Sequence, residues 1–220
     1  MARIVTGLDP ARVREQAERV RGRMAEAALR AGRDSAAVEL LAAVKYVALE
    51  ELHVLAEAGL DLVGENRAQD LVAKSQNHPE LRWHFIGQLQ SRKVKLIVPH
   101  AQLIHSVDSE SALEQIGRHA GPQTQILVQV NVAREQGKGG VMPEDLAKFL
   151  AASPIPVSGL STMPPFAADP ESSRPYFSGL RELAAEHGLR ELSMGTSQDF
   201  ETAVEEGATI VRVGSLLYAD

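Results

Sequence analysis

The chain of 220 residues is long enough for one well-buried core and short for two, which predicts a single domain over residues 1–220. Its 44% hydrophobic and 24% charged residues are typical of a globular protein and exclude a disordered chain. The net charge of -6 gives no general attraction to nucleic acid or anionic lipid, and the lack of cysteine excludes disulfides and thiolate metal sites.

No apolar run approaches membrane-spanning length, and the amino terminus has no long apolar core. We therefore expect a cytoplasmic protein that contacts neither membrane nor nucleic acid. The seven histidines show no metal-binding spacing, so no metal site is predicted. His84, between two aromatic residues, is interpreted as a hydrogen-bonded core residue.

The elements begin with a long helix and then alternate. Asp9-Pro10 is typical of a helix start, and apolar residues then recur every three or four positions until Gly32. Eight short apolar segments follow, each bounded by turn residues or by a helical pattern. They predict strands at residues 40–44, 60–63, 83–86, 103–107, 125–130, 155–160, 191–193 and 208–213.

Eight strands that alternate with helices predict an α/β fold, a (β/α)8 TIM barrel. Few residues remain after the last strand, so the eighth outer helix is predicted to be truncated, and the extra amino-terminal helix could cover the gap it leaves. A doubly wound open sheet is the rival architecture. It is the weaker one because no GxGxxG turn follows the first strand.

Lys45 is the predicted reactive residue. It directly follows the apolar run 40–44, and strand alternation would place it on one face with Leu41 and Ala43. Aliphatic neighbours around the lysine stem would desolvate the amine and disfavour its charged form. These are the conditions that a Schiff-base nucleophile requires.

Further polar residues follow other strands at the same end of the predicted barrel. Asn66 follows the second strand, Ser197 lies at a predicted helix start after the seventh, and Gly214-Ser215 follows the eighth. Hydroxyls and backbone N–H groups after strands seven and eight often bind phosphate in this fold. The alternative for each serine is ordinary helix capping.

Two charged residues leave alternatives open. Arg212 would share a strand face with Ile210 and point into the barrel mouth, where it needs either a ligand acceptor or a core carboxylate. Glu65 could be a catalytic carboxylate, although an acidic residue after a strand more often pairs with a neighbouring base.

Together these segments resemble the pyridoxal phosphate homeostasis proteins, the YggS/PROSC type, which in turn resemble the barrel domain of alanine racemase. The resemblance covers most of the chain. It rests on segments 40–45, 64–66, 83–87, 89–91, 106–108, 130–131 and 159–160, on Lys138, on 193–195 with Ser197 and Asp199, and on 211–214. Departures from the family pattern are Tyr46, Arg92, Ser161, Thr196, Tyr218 and Ala219.

The resemblance implies that pyridoxal 5'-phosphate (PLP) is bound as an aldimine on Lys45. It further implies that Asn66 lies near the ring, that Arg212 faces the pyridine nitrogen, and that Ser197, Gly214 and Ser215 hold the phosphate. An arginine at that nitrogen donates a hydrogen bond, so it would leave the nitrogen unprotonated and weaken the ring as an electron sink.

The function that the resemblance implies is PLP homeostasis: reversible binding of the cofactor without robust catalysis, with apo-PLP enzymes as expected acceptors. A PLP-dependent amino-acid racemase is the alternative, with Tyr46, Tyr218 or a dimer partner as the second base. Racemisation needs that second acid/base, which alanine racemase draws from an additional domain. A third hypothesis is an aldolase that uses Lys45 without any cofactor.

Overall fold

Eight parallel strands close into a barrel in sequence order in the computed structural model, which describes residues 4–218. The strands are β1 (Glu39–Ala43), β2 (Leu62–Glu65), β3 (Arg82–Phe85), β4 (Leu103–Val107), β5 (Gln125–Gln129), β6 (Val157–Ser161), β7 (Glu191–Thr196) and β8 (Ile210–Val213). Pairing of β8 with β1, in which Leu41 lies opposite Arg212, closes the cylinder. The barrel prediction is confirmed, and the open-sheet alternative is wrong.

Helices alternate with the strands around the barrel. They are α1 (Pro10–Arg30), α2 (Leu52–Glu57), α3 (Ala68–Asn77), α4 (Val94–Ile97), α5 (Glu110–His119), α6 (Leu146–Ala151), α7 (Arg174–Glu186), α8 (Phe200–Glu205) and α9 (Ser215–Tyr218). Within residues 4–218, no helix combines the length and the apolar character needed to cross a membrane.

The amino-terminal helix closes the outer layer. The Asp9 side chain accepts a hydrogen bond from Ala11 N at 2.9 Å and so caps α1. The helix buries an apolar stripe that includes Val13, Ala17 and Val20, and it packs against α2, α8 and α9. It therefore lies beside the short α9, at the position that the sequence predicts for it; residues 219–220 lie outside the described part of the chain.

The barrel has a large outer core and a small inner one. Between strands and helices, buried aliphatic residues form one continuous cluster. Inside the barrel the apolar cluster is confined to Leu41, Leu62, Leu103, Leu127 and Ile210, with Ile86 packed against it. The barrel also buries polar side chains, among them His84, His105, Ser193 and Arg212. A polar barrel interior is costly unless its groups are hydrogen-bonded to one another.

Some element bounds differ from those the sequence predicts, and tertiary pairing explains the differences. Strand β7 runs to Thr196 because its polar end pairs with β8, Thr196 lying opposite Arg212. Strand β2 begins at Leu62 and includes Glu65, which is buried by an ion pair. A prediction based on apolar runs alone therefore makes a strand too short when its polar residues are hydrogen-bonded or paired by neighbouring elements.

Candidate functional site

A cavity of about 850 Å³ opens at the carboxyl ends of the strands. All six residues predicted to form the site line it: Lys45, Asn66, Ser197, Arg212, Gly214 and Ser215. They come from four different loops or strands, β1, β2, β7 and β8, which the closed barrel brings side by side. This is the end at which barrel proteins of this fold carry their sites.

Lys45 lies in the turn that follows β1, as the sequence predicts. The strand ends at Ala43, and Lys45 is exposed, so its amine is not enclosed by aliphatic neighbours. The Nζ atom lies 4.9 Å from the ring centroid of Tyr46, a cation–π contact. The expectation that aliphatic neighbours surround the lysine is therefore wrong. The amine is accessible from the cavity.

The amino-terminal segment is hydrogen-bonded to this turn, a contact that the sequence does not reveal. Val5 N donates to Tyr46 O at 2.7 Å, and Ala48 N donates to Val5 O at 3.2 Å. The carboxylate of Glu51 accepts hydrogen bonds from the backbone of Gly7 and of the next residue. Val5 thereby becomes part of the cavity wall beside the lysine.

A buried ion pair is hydrogen-bonded to the backbone of the turn that carries Lys45. Glu65 pairs with Lys74 at 2.6 Å, and both side chains are buried. The same Lys74 Nζ donates to Val44 O at 2.7 Å, and Glu65 Oε1 accepts from Asn66 N at 2.7 Å. Glu65 thus pairs with a neighbouring base, which is the second of the two interpretations given for it from the sequence. It does not line the cavity.

Asn66 presents an unused polar atom. Its side-chain Oδ1 is buried and has no hydrogen-bond partner among residues 4–218. The neighbouring loop comes very close: a Cβ added to Gly87 would lie 2.0 Å from Asn66 O, so only glycine fits there. An orphaned acceptor in a cavity wall is a group that a ligand can satisfy.

Arg212 reaches the cavity from the barrel interior. Its NH1 donates to Ser193 O at 2.9 Å and to Ser193 Oγ at 2.5 Å. Its NH2 donates to Thr162 O at 2.8 Å and lies 2.9 Å from the sulfur of Met163. Burial lowers the pKa of Arg212 to about 10, so the guanidinium stays charged at neutral pH. No carboxylate within residues 4–218 forms an ion pair with it, which overturns the core ion-pair alternative.

The loops after β7 and β8 are joined by one hydrogen bond. Gly214 N donates to Ser197 Oγ at 3.2 Å, so the two loops form one polar wall of the cavity. Ser197 is not at the helix start that the sequence predicts, because α8 begins at Phe200 and Asp199 is its N-cap residue. Ser215 is exposed and opens α9.

The β7 loop is held in shape by Asp199. Its Oδ1 accepts from Thr196 N at 2.8 Å, and its Oδ2 accepts from Ser173 Oγ at 2.8 Å. Gly195 adopts a φ of 90°, and a Cβ there would lie 2.5 Å from the side chain of Ala203. The conformation that presents Ser197 therefore depends on glycine and on a buried carboxylate.

Tyr218, which the sequence offers as a departure from the family pattern and as a candidate second base, lines the cavity. Its hydroxyl is buried and has no partner among residues 4–218. Burial, and then the charge of Glu65, raises the pKa of Tyr218, so the group remains a neutral donor. Like Asn66 Oδ1, this hydroxyl is left for a ligand.

Within residues 4–218, no group of three or more His, Cys, Asp or Glu side chains is placed to hold a metal ion.

His84 is buried, and its Nδ1 lies 3.0 Å from His105 Nε2. The prediction that His84 is a hydrogen-bonded core residue is confirmed. No sequence pattern identifies its partner, which lies on a different strand.

Comparison with known proteins identifies the family. A family model described as "Alanine racemase, N-terminal domain" matches residues 10–220. Pyridoxal phosphate homeostasis proteins of Aquifex aeolicus and Pseudomonas aeruginosa are 42% and 40% identical, over 94% of this chain in each case and over 97% and 94% of their own lengths. PipY of Synechococcus elongatus, solved with PLP bound, superposes with a TM-score of 0.78 at 30% identity, covering 94% of this chain and 100% of PipY. The chain therefore belongs to the family of pyridoxal phosphate homeostasis proteins.

Proposed function

We propose that this protein binds PLP, holds it reversibly on Lys45, and serves in PLP homeostasis. The observation that carries the proposal is the shared cavity. A free primary amine, a charged guanidinium and a hydroxyl-lined wall face one space of about 850 Å³. The PLP found in PipY, and the names of the homeostasis proteins from two other bacteria, support the same assignment.

The cavity residues fit the chemical parts of PLP. The cofactor supplies an aldehyde that condenses reversibly with a primary amine and releases one water. Lys45 is the amine in the cavity, and Arg212 is the donor available to the ring nitrogen. Ser197 and Ser215 offer hydroxyls to the phosphate, and Asn66 Oδ1 and the Tyr218 hydroxyl are buried polar atoms that need a partner.

Residues of the cavity favour holding over catalysis. Arg212 keeps its charge, so it donates to a ring nitrogen and does not protonate it. Tyr218 has a raised pKa and is a poor proton acceptor at neutral pH. Lys45 is exposed, which suits exchange of the aldehyde with an amine from solution. We propose on these grounds that the protein is not a robust enzyme.

The proposal is tested by adduct formation. Purified protein is incubated with PLP, reduced with borohydride and digested, and the peptides are analysed by mass spectrometry. We expect one phosphopyridoxyl group on Lys45 and none in Lys45→Ala. Lys95→Ala is the control, because Lys95 is exposed on α4 and outside the cavity. Equal labelling of Lys45→Ala and wild type would refute the assignment. Absence of any adduct in wild type would instead favour the cofactor-free aldolase.

A PLP-dependent racemase is the second candidate, because Tyr46 and Tyr218 line the same cavity as Lys45. Steady-state interconversion of D- and L-alanine by the PLP-loaded protein would support it. If Tyr218 were the second base, Tyr218→Phe would abolish turnover and leave the adduct intact. We expect no turnover above that of free PLP.

Apo-PLP enzymes are the proposed acceptors. The exposed amine beside the cavity mouth supports release toward a stronger binder. Mixing the PLP-loaded protein with an apo-aminotransferase and following recovery of its activity tests the transfer. Recovery no faster than with the same concentration of free PLP would contradict direct transfer and leave storage as the role.

A further inference from the structure

A continuous hydrogen-bonded chain crosses the barrel interior and ends on Arg212. Arg212 NH1 lies 2.5 Å from Ser193 Oγ, Ser193 Oγ lies 2.7 Å from His105 Nδ1, and His105 Nε2 lies 3.0 Å from His84 Nδ1. The four side chains stand on four strands, β8, β7, β4 and β3. Their exposed fractions are 8%, 0%, 2% and 6%, so these contacts are largely shielded from solvent.

Hydrogen-bond accounting gives this chain one direction. Ser193 Oγ accepts from the guanidinium, and its own hydrogen has only His105 Nδ1 as an acceptor within residues 4–218. His105 Nδ1 is therefore unprotonated and accepts the serine hydrogen. The Nε2 atom of His105 carries the ring hydrogen and donates it to His84 Nδ1. The reverse direction would leave the fully buried Ser193 hydrogen without an acceptor.

Both imidazoles are neutral in this arrangement. Burial, followed by the proximity of His84 and the charge of Arg212, holds the pKa of His105 well below its usual value. Burial lowers the pKa of His84 to about 4. The chain thus gives Arg212 an oriented acceptor without bringing in a negative charge. A carboxylate in the place of Ser193 would have neutralised the guanidinium.

We propose that His105, acting through Ser193, is a positioning residue that fixes the Arg212 guanidinium toward the ring nitrogen of the bound cofactor. The inference rests on the proposed function, in which Arg212 faces that nitrogen. Arg212 Nε has no hydrogen-bond partner among residues 4–218, whereas NH1 and NH2 are engaged. Ser193 thus engages NH1, Thr162 O and the Met163 sulfur engage NH2, and the N–H of Nε is left for the ligand.

The test measures the ring nitrogen directly. Protein loaded with ¹⁵N-ring-labelled PLP is examined by NMR in wild type, Arg212→Leu, His105→Leu and His105→Asn. We expect His105→Leu to move the ¹⁵N resonance in the same direction as Arg212→Leu. His105→Asn should restore the wild-type position, because its Oδ1 can accept from Ser193 Oγ–H as Nδ1 does. A merely structural role for His105 would not produce this pattern.

Controls separate the possible failures. Ser193→Ala, which removes the link and leaves both neighbours, should reproduce the His105→Leu shift and serves if His105→Leu does not fold. His53→Asn alters an exposed histidine on α2 and should change nothing. A wild-type resonance in both His105→Leu and Ser193→Ala would overturn the positioning role. If wild type forms no Lys45 adduct, the proposed function fails.

Discussion

Lys74 Nζ lies 2.7 Å from the carbonyl oxygen of Val44, the residue immediately before Lys45. The same ammonium pairs with Glu65 at 2.6 Å, and Glu65 Oε1 in turn accepts from the backbone of Asn66. One buried pair therefore holds the backbone beside two of the proposed cofactor contacts. Its second role is to anchor α3, which carries Lys74, beneath the β1 turn.

Breaking this pair should destabilise the protein strongly. In Lys74→Met the Glu65 carboxylate stays buried without a counter-charge, so we expect the free energy of unfolding to fall by about 3–5 kcal/mol. Urea denaturation provides the measurement. The double variant Glu65→Gln/Lys74→Met should recover most of the loss. Arg118→Met, which breaks an exposed pair with Glu114, should cost less than about 1 kcal/mol. Similar losses for Lys74→Met and Arg118→Met would contradict the buried-pair role.

The phosphate assignment predicts selective loss of affinity. A hydrogen bond to a charged group contributes roughly 1.5–3 kcal/mol, so Ser197→Ala/Ser215→Ala should weaken PLP binding by about tenfold or more. Binding of pyridoxal, which lacks the phosphate, should be unchanged. Titrations of both compounds give the comparison, with Ser172→Ala, an exposed serine outside the cavity, as the control. Equal losses for PLP and pyridoxal would place the phosphate elsewhere.

Tyr218→Phe should have opposite effects on stability and on binding. Without ligand the hydroxyl is buried and has no partner in the described part of the chain, so its removal should raise the free energy of unfolding by about 1 kcal/mol. If the hydroxyl donates to bound PLP, the same change should weaken binding. Denaturation without PLP and titration with PLP test the two signs. Tyr176→Phe, on α7 and outside the cavity, should affect neither. Unchanged PLP affinity in Tyr218→Phe would remove this contact.

Glycine at position 87 should be required for the cavity wall. The Cβ of Gly87→Ala would lie 2.0 Å from Asn66 O, a backbone atom that cannot move aside easily. Such overpacking costs roughly 1–3 kcal/mol. Gly22→Ala, at an exposed α1 position with nothing within 4 Å of the added atom, should stabilise by about 0.5–1 kcal/mol. Thermal or urea unfolding distinguishes the two signs, and a neutral Gly87→Ala would show that the loop can relax.

The buried histidine pair predicts loss of stability in mild acid. The pKa of His84 is lowered to about 4 in the folded protein by burial and by the charge of Arg82. Below its unfolded pKa of about 6.5 the unfolded chain binds more protons, so the free energy of unfolding falls as the pH drops toward 4. The shift corresponds to about 3 kcal/mol at roughly 1.4 kcal/mol per unit. His105 acts in the same direction.

Urea unfolding at several pH values between about 7 and 4 measures this slope. His84→Asn keeps an acceptor for His105 Nε2–H and no longer titrates, so its pH dependence should be shallower than that of wild type. His53→Asn, at an exposed histidine, should keep the wild-type slope. A wild-type slope in His84→Asn would assign the acid sensitivity to other groups.

Much of the fold follows from local sequence pattern. Alternating strand and helix periods predict the barrel, and the capped repeat after Asp9 predicts α1 almost to the residue. The six predicted site residues share one cavity because the carboxyl ends of parallel strands meet at one end of the barrel. Their roles toward the cofactor stay predictions that the experiments above address.

By itself the sequence determined the elements, their order and the polar residues that follow each strand, because these depend on local periodicity and turn chemistry. Only the tertiary structure decided that Lys45 is exposed past the end of β1, that Lys74 anchors its backbone, and that Ser193 and His105 connect Arg212 to His84. These contacts join residues as far as 88 positions apart. They arise when the barrel closes and its inward-facing polar groups must satisfy one another away from water.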